Sequence, residues 1–332
     1  MPQAHISIVV PCYNEADALV HLREALVLLM DQLADRYRVQ VVLVDDGSRD
    51  DTWIRISDIA QIDPRVVGVR LSRNFGHQAA LTCGYQVAEG DAVVCMDADL
   101  QDPPEVITDL LAEWEKGADI VYAVRARRDG DSWFKRGSAW LFYQLLRLLG
   151  AHYVRPNTGD FRLMSRRSID AFLRLGEHHR FIRGMVGWLG FQTAEVTYHR
   201  RPRVAGKTKY PLLKMMSFAS DAIVSFSSVP MRLAFTIAGF VGLLVFSYLI
   251  YVGYNWWVYD VVRVSGWTSL IMAVMIFGAL NLFCLGILGE YVGRLYEQSK
   301  GRPLFLVEDT TRVGQADLVA SSQMMINNDG HP

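Results

Sequence analysis

The sequence predicts an α/β domain with a mainly parallel sheet, followed by two membrane-spanning helices. Three observations carry that reading. Before Gly206, strand-length apolar runs alternate with helix-period segments; polar clusters follow directly on those runs; and two later stretches, 233–259 and 266–289, hold no charged residue. Strand–helix alternation implies parallel pairing with helices on the sheet faces. A helix of about 20 apolar residues crosses the ~30 Å hydrocarbon core of a bilayer.

The strands are expected at 6–10, 39–44, 66–71, 92–96 and 119–124, and the helices at 17–33, 51–61, 77–88 and 104–116. The two uncharged stretches form a hairpin around a short link. Lys207, Lys209, Lys214 and Arg232 precede it, Arg294, Lys300 and Arg302 follow it, and the link carries only Asp260 and Arg263. That asymmetry places both chain ends in the cytoplasm, with Trp256, Trp257, Tyr259 and Trp267 as an aromatic belt at the outer interface. Segment 211–231 repeats apolar residues at helical spacing among Lys214, Ser217, Ser220 and Asp221, the pattern of an amphipathic helix on the membrane surface; 133–149 is a second such candidate. The expected organisation is a catalytic domain over 1–210, a juxtamembrane helix over 211–232, spans at 233–254 and 267–289, a cytoplasmic segment at 290–313 and a disordered tail at 314–332.

Length and composition bound the function. The chain has 332 residues, room for two domains of ~100–200 residues each. A net charge of −1 argues against a generic nucleic-acid binder. Cys12, Cys83, Cys95 and Cys284 are scattered with no C-x-x-C pair, so neither a disulfide framework nor a zinc site is expected. The start lacks a basic region followed by an apolar one, and no cleavable signal peptide is expected.

In sheets of this class ligands bind beyond the carboxyl ends of the strands. Those positions hold Pro11-Cys12-Tyr13-Asn14-Glu15, Asp45-Asp46-Gly47-Ser48 and Asp97-Ala98-Asp99-Leu100-Gln101. Clustered carboxylates repel unless a cation or a donor-rich ligand sits among them. Alternate residues of an extended segment share a side, so Asp97, Asp99 and Gln101 are expected to face one ligand, and such hard oxygen donors suit Mg²⁺ or Mn²⁺. No G-x-G-x-x-G follows the first strand, and Gly206-Lys207-Thr208 lacks the glycine and the strand that a P-loop needs. Arg200–Lys214 holds six Lys or Arg and no acid, as expected of an anion site or a lipid-facing patch. His77 and His199 have no partner spacing that implies a metal and are read as structural.

P-C-Y-N-E, V-D-D-G-S, D-A-D-L-Q and the later G-K-T-K-Y together resemble the family 2 glycosyltransferases of GT-A (Rossmann-like) fold, over 6–307. Within it, the polyprenyl-phosphate glycosyltransferases are most similar, with the two-span hairpin favouring the bactoprenol branch. The resemblance implies that Pro11, Tyr13, Glu15 and Asp46 bind the nucleotide, and that Asp97 lies near nucleotide and sugar. It assigns the divalent metal to Asp99 and Gln101, beside Asp97. Arg125, Arg136 and Ser138 would receive the lipid phosphate. Arg203, Lys207 and Lys209 would close over the diphosphate, and Asp160 would orient the acceptor or an arginine. It also implies a UDP- or GDP-linked donor, a polyprenyl-phosphate acceptor and a place in the inner membrane; the oligomeric state stays open, although a membrane hairpin this small commonly packs against copies of itself.

The expected reaction is attack of a lipid phosphate oxygen on the anomeric carbon, inverting its configuration, with UDP-glucose as the favoured donor. Mannose, N-acetylglucosamine and aminoarabinose donors are alternatives. A processive synthase would need more spans and a Q-x-x-R-W motif, which is absent. A non-catalytic nucleotide-sugar-binding membrane protein is the remaining alternative.

Overall fold

The computed structural model describes residues 3–126, 158–201, 229–259 and 266–312. Its strands are β1 (Ala4–Cys12), β2 (Tyr37–Asp45), β3 (Val66–Leu71), β4 (Ala92–Cys95), β5 (Ile120–Arg125), β6 (Thr158–Ser165), β7 (Thr193–Tyr198) and β8 (Val307–Thr310). They form one sheet in the order β7-β5-β6-β4-β1-β2-β3-β8. The helices are α1 (Ala16–Leu33), α2 (Thr52–Ile62), α3 (His77–Val87), α4 (Val106–Glu115), α5 (Arg166–Leu173), α6 (Ile182–Trp188), α7 (Val229–Tyr259) and α8 (Trp267–Ser299).

The apolar runs are continuous because both faces of the sheet are covered. In β1, Ile6, Ile8 and Val10 enter one core, with Leu19, Leu22 and Leu26 of α1 and Leu110 of α4. Val9 points the other way, into a second core with Leu81 and Tyr85 of α3 and Phe172 of α5. The strand period of two thus sorts one sequence run into two layers.

The pairing is more mixed than the sequence pattern predicts. β4, β1, β2 and β3 run parallel. β6 is inserted between β4 and β5 and runs antiparallel to both, while β5 pairs parallel with β7. β8 closes the far edge, antiparallel to β3; just before it, Phe305 is fully buried. The chain therefore returns to the sheet after its last long helix.

The loops after β1, β2 and β3 are stitched together. Ser48 Oγ accepts the Asn14 amide at 2.9 Å, and Asn14 Oδ1 accepts the Arg49 amide at 2.9 Å. Thr52 Oγ1 accepts the Glu15 amide at 3.0 Å. Gly47 sits at the centre with φ +64, and a Cβ there would lie 2.3 Å from the Arg73 carbonyl carbon. Neither the backbone angle nor the space admits a side chain. Gly47→Ala is expected to cost about 2–4 kcal/mol, above the ~1 kcal/mol of an unfavourable φ alone, because backbone atoms must move. A shift of the urea midpoint corresponding to under 1 kcal/mol would contradict this tight packing.

α7 and α8 contain the candidate spans Ala234–Asn255 and Leu270–Ser299, with mean hydropathy 2.1 and 2.5. At 1.5 Å per residue each exceeds the ~30 Å core. Their large side chains are exposed, Phe235 to 81% and Leu282 to 72%, an apolar surface of the kind that marks a membrane or protein interaction face. Polar side chains there bond to their own helix backbone: Ser247 donates to Leu243 O and Asn255 to Tyr251 O, both at 2.8 Å. The foot of α8 is tied to the α/β domain, where Gln298 donates to Gly176 O at 2.6 Å and accepts the His178 amide at 2.9 Å. The amphipathic segment 133–149, most of 211–231 and the tail from 314 lie outside the described residues.

Candidate functional site

Three sheet ends meet at one edge, and each brings acid. Asp45 ends β2, fully buried, where it accepts the Ser48 amide at 3.0 Å and faces Arg70 at 3.6 Å. Asp46 accepts the Phe75 amide at 2.7 Å and the Gly76 amide at 3.0 Å, one on each oxygen. Burial raises the pKa of Asp46, against the pull of those two amides. Asp46 thereby fixes the loop that leads into α3. Of the other expected nucleotide contacts, Pro11 is buried within β1, Glu15 is half-buried and Tyr13 is 42% exposed at the rim.

The Asp97–Gln101 segment corrects one expectation. β4 ends at Cys95, and the chain then turns, with Leu100 at φ 54. Asp99 Oδ1 accepts the Gln101 amide at 3.1 Å. Side-chain alternation along an extended strand therefore does not bring Asp97 and Asp99 together; a tight turn does. Burial raises the pKa of Asp97, with Asp160, Asp102 and Asp99 adding to it and His77 opposing. Such an excess of carboxylate charge is what a divalent cation relieves, and Asp97, Asp99 and the Gln101 amide oxygen are hard donors. The residues present fit Mg²⁺ or Mn²⁺.

Beside this turn lies a charged network that the sequence reading only partly contains. Asp160, on β6, is buried and receives Arg162 Nη2 at 2.9 Å, Arg183 Nε at 3.0 Å and Arg183 Nη2 at 2.8 Å. His77 Nε2 stands 3.4 Å from Asp160 and 4.0 Å from Asp97. Burial alone would lift the Asp160 pKa, yet Arg183, His77 and Arg162 outweigh it and hold the carboxyl well below its usual range. Burial likewise opposes charge on His77, and Asp160 with Asp97 overcomes it, raising the imidazole pKa. The sequence marks His77 as structural, and the fold gives it two acidic partners. It bridges the two acidic strand ends.

Arg125 ends β5 and is held toward the same acids. Its Nε donates to Tyr198 Oη at 3.3 Å, Tyr198 in turn donates to Asp102 Oδ1 at 2.5 Å, and Arg125 Nη2 lies 4.0 Å from that oxygen. Arg200 Nε reaches Asp102 at 3.5 Å. Gly159 permits this placement, since a Cβ there would meet Arg125 Nη2 at 2.7 Å. The second Asp102 oxygen is buried with no hydrogen-bond partner. Burial opposes the charge on Arg125, but Tyr198 and Asp102 reverse that and raise its pKa.

The described site therefore gathers Asp46, Asp97, Asp99, Gln101, Asp160 and Arg125 at one sheet edge. It adds His77, Asp102, Arg162, Arg183, Tyr198 and Arg200, of which the sequence reading had included only Arg200, within the basic stretch. Arg136, Ser138, Arg203, Lys207 and Lys209 lie outside the described residues. Among the described residues, His178, His179 and Glu297 are the one group of three imidazole or carboxylate ligands that converges, within 4.8 Å, and it lies at the foot of α8.

Residues 7–173 match the model of the family described as glycosyl transferase family 2. The chain is 41% identical over 322 residues to an uncharacterized glycosyltransferase, YkcC, of Bacillus subtilis (strain 168), covering 96% of this chain and 98% of that one. It is 38% identical over 308 residues to the bactoprenol glucosyl transferase of Shigella phage SfV, covering 92% and 98%. Among solved structures, a glucosyl-3-phosphoglycerate synthase of Mycobacterium tuberculosis is similar at 23% identity with a TM-score of 0.43, over 67% of this chain and 78% of that chain.

Proposed function

The chain belongs to glycosyl transferase family 2, and from that premise we propose that it moves a sugar from a nucleotide-sugar donor, UDP-glucose foremost, to a polyprenyl phosphate at the cytoplasmic face of the inner membrane. The likeness to a bactoprenol glucosyl transferase over nearly its whole length supports the acceptor class. The two long apolar helices support a membrane-held enzyme, since such a lipid stays in the bilayer. The observation that carries the reading is the Tyr198–Asp102 clasp on Arg125. It sets a cation beside the acidic turn, so a site for an anionic acceptor adjoins a site for a donor.

In this reading Pro11, Tyr13, Glu15 and Asp46 hold the nucleotide. Asp99 and Gln101, with Asp97, would hold a divalent cation, which would supply Lewis-acid neutralisation of the leaving diphosphate. Arg125 positions the acceptor phosphate, with Arg136 and Ser138 proposed alongside it. Arg203, Lys207 and Lys209 cover the diphosphate. A phosphate with its second pKa near ~6 is already largely anionic at neutral pH, so no strong general base is needed. Orientation of the nucleophile is the protein's main contribution. His77, between Asp160 and Asp97, opposes the rise that burial and the neighbouring acids impose on the Asp97 pKa.

A donor screen tests this reading. Membranes containing the chain, undecaprenyl phosphate and each nucleotide sugar are incubated, and lipid-linked sugar is read by mass spectrometry. Transfer from UDP-glucose with inverted anomeric configuration is the expected result. Transfer only from GDP-mannose or UDP-N-acetylglucosamine would replace the sugar and keep the class. No transfer from any donor would favour a non-catalytic binding protein, and a retained configuration would refute direct displacement.

A further inference from the structure

A cavity of about 570 Å³ opens where the foot of α8 meets the loop before α6 and the loop between β3 and α3; Asp97, Asp99, Asp160 and Arg125 do not line it. Five cations do: Arg73, Arg180, Arg294, Lys300 and Arg302, against a single lining carboxylate, Glu297. Glu297 is already paired with His179 at 2.5 Å, and Arg294 with Glu290 at 3.0 Å. Among the described residues the other four cations have no carboxylate within 4.0 Å, and Glu177 acts on Arg180 only from further away. Arg73 lies over the Phe75 ring at 4.2 Å and Lys300 over the Tyr296 ring at 4.1 Å.

Arg180 is the most telling of them. Its Nε and Nη2 donate to the carbonyls of Glu177 and Leu175, at 3.2 and 2.7 Å. Its Nη1 is buried with no hydrogen-bond partner. A buried, unsatisfied guanidinium nitrogen costs free energy unless something occupies it, and burial lowers the Arg180 pKa to about 10. A metal on the nearby His178, His179 and Glu297 would face the repulsion of these five cations, whereas an anion would relieve it.

The position selects the kind of anion. Gly289 closes the uncharged stretch of α8, and Arg294 follows about 7–8 Å further along the helix. The headgroup layers occupy that depth, outside the ~30 Å core of a bilayer 40–45 Å thick overall. Lys300 and Arg302 follow six and eight residues after Arg294, just past the end of α8. Guanidinium forks match phosphate oxygens.

We propose that this cavity binds the phosphate group of an anionic phospholipid whose acyl chains lie along α8, an assignment that rests on α7 and α8 spanning the bilayer. One wall of the cavity, residues 73–76, is the loop whose Phe75 and Gly76 amides hold Asp46. A bound headgroup therefore braces the donor edge as well as the helix foot.

The test uses the purified full chain in detergent, given phosphatidylglycerol or phosphatidylcholine and examined by native mass spectrometry, with thermal unfolding in inorganic phosphate as a second arm. The wild type is expected to retain phosphatidylglycerol in preference to phosphatidylcholine. Arg180→Gln should weaken retention by about tenfold, the equivalent of one charge-assisted hydrogen bond. Because Arg180 also supports its own loop, Lys300→Gln/Arg302→Gln, confined to exposed side chains, is the decisive variant and should show a comparable loss. Equal retention by that variant and the wild type overturns the proposal. Phosphate-dependent stabilisation of the wild type alone, with no lipid retained, overturns the lipid assignment in favour of a soluble phosphate ester. Flotation with vesicles is scored separately: a chain that fails to float refutes the membrane reading, while the phosphate arm still reports on the cavity.

Discussion

Asp99→Asn is expected to abolish sugar transfer, with a fall of about 100- to 1,000-fold, the size of effect seen when one electrostatic contact to a leaving group is removed. The substitution is chosen for what it leaves intact. Asp99 Oδ1 accepts the Gln101 amide at 3.1 Å and so shapes the turn; the Asn amide oxygen can accept the same bond. Loss of charge is then separated from loss of shape. Asp99→Ala removes both, at a further cost of about 1 kcal/mol of local stability for the missing hydrogen bond. The two variants should be equally inactive, and both should remain folded and membrane-bound. An active Asn variant beside an inactive Ala one would mean that Asp99 only builds the turn, and the metal assignment would fall. Initial rates titrated with Mn²⁺ and with Mg²⁺ add a second readout. If Asp99 binds the cation, residual activity in the Asn variant should require more metal to saturate.

How much of this site could be read from sequence depends on how far its partners lie apart along the chain. The ends of β1, β2 and β4 were legible because an apolar run followed by polar residues is a local signal, and the helices α1 to α4 follow from their period within a few residues. β6 was not legible. Its sequence, Thr158-Gly159-Asp160-Phe161-Arg162-Leu163-Met164-Ser165, places two charges inside a buried strand, a pattern that normally marks a loop. The charges are tolerated because they neutralise each other, with Asp160 and Arg162 in contact at 2.9 Å. β8 was missed for a related reason: Val307-Glu308-Asp309-Thr310 is a polar edge strand, and such edges carry charge to discourage further pairing. His77 looked structural because Asp97 and Asp160 are distant in sequence and only the insertion of β6 brings them to it. The alternation argument for Asp97 and Asp99 reached the right sheet edge by a wrong local geometry.

Asp160→Asn should be strongly destabilising, because the carboxylate neutralises a buried cation. Arg162 is 1% exposed, and among the described residues Asp160 is its one carboxylate partner. One of its nitrogens is already unsatisfied. Removing one partner of a buried pair costs about 3–5 kcal/mol. The lower end is expected, since Arg183 is partly exposed and water can screen it. Asp160→Asn/Arg162→Met should recover much of the loss, because it deletes the orphaned charge; a double variant no better than the single would show that the damage lies in packing. The pH dependence gives a signed check. The folded Asp160 pKa is depressed, so its contribution is present above the unfolded value of ~3.9 and lost as pH falls through the folded value. The folded His77 pKa is raised, so its contribution is complete below the unfolded value of ~6.5 and lost as pH rises through the folded one. Both contributions need Asp160. The stability gap between wild type and Asp160→Asn, measured by urea unfolding in chelator, should therefore be widest between about pH 4 and 6.5 and narrow on either side. A gap that stays constant from acid to alkaline pH would break the link between Asp160 and His77, and with it the account of how β6 joins the two acidic ends of the sheet.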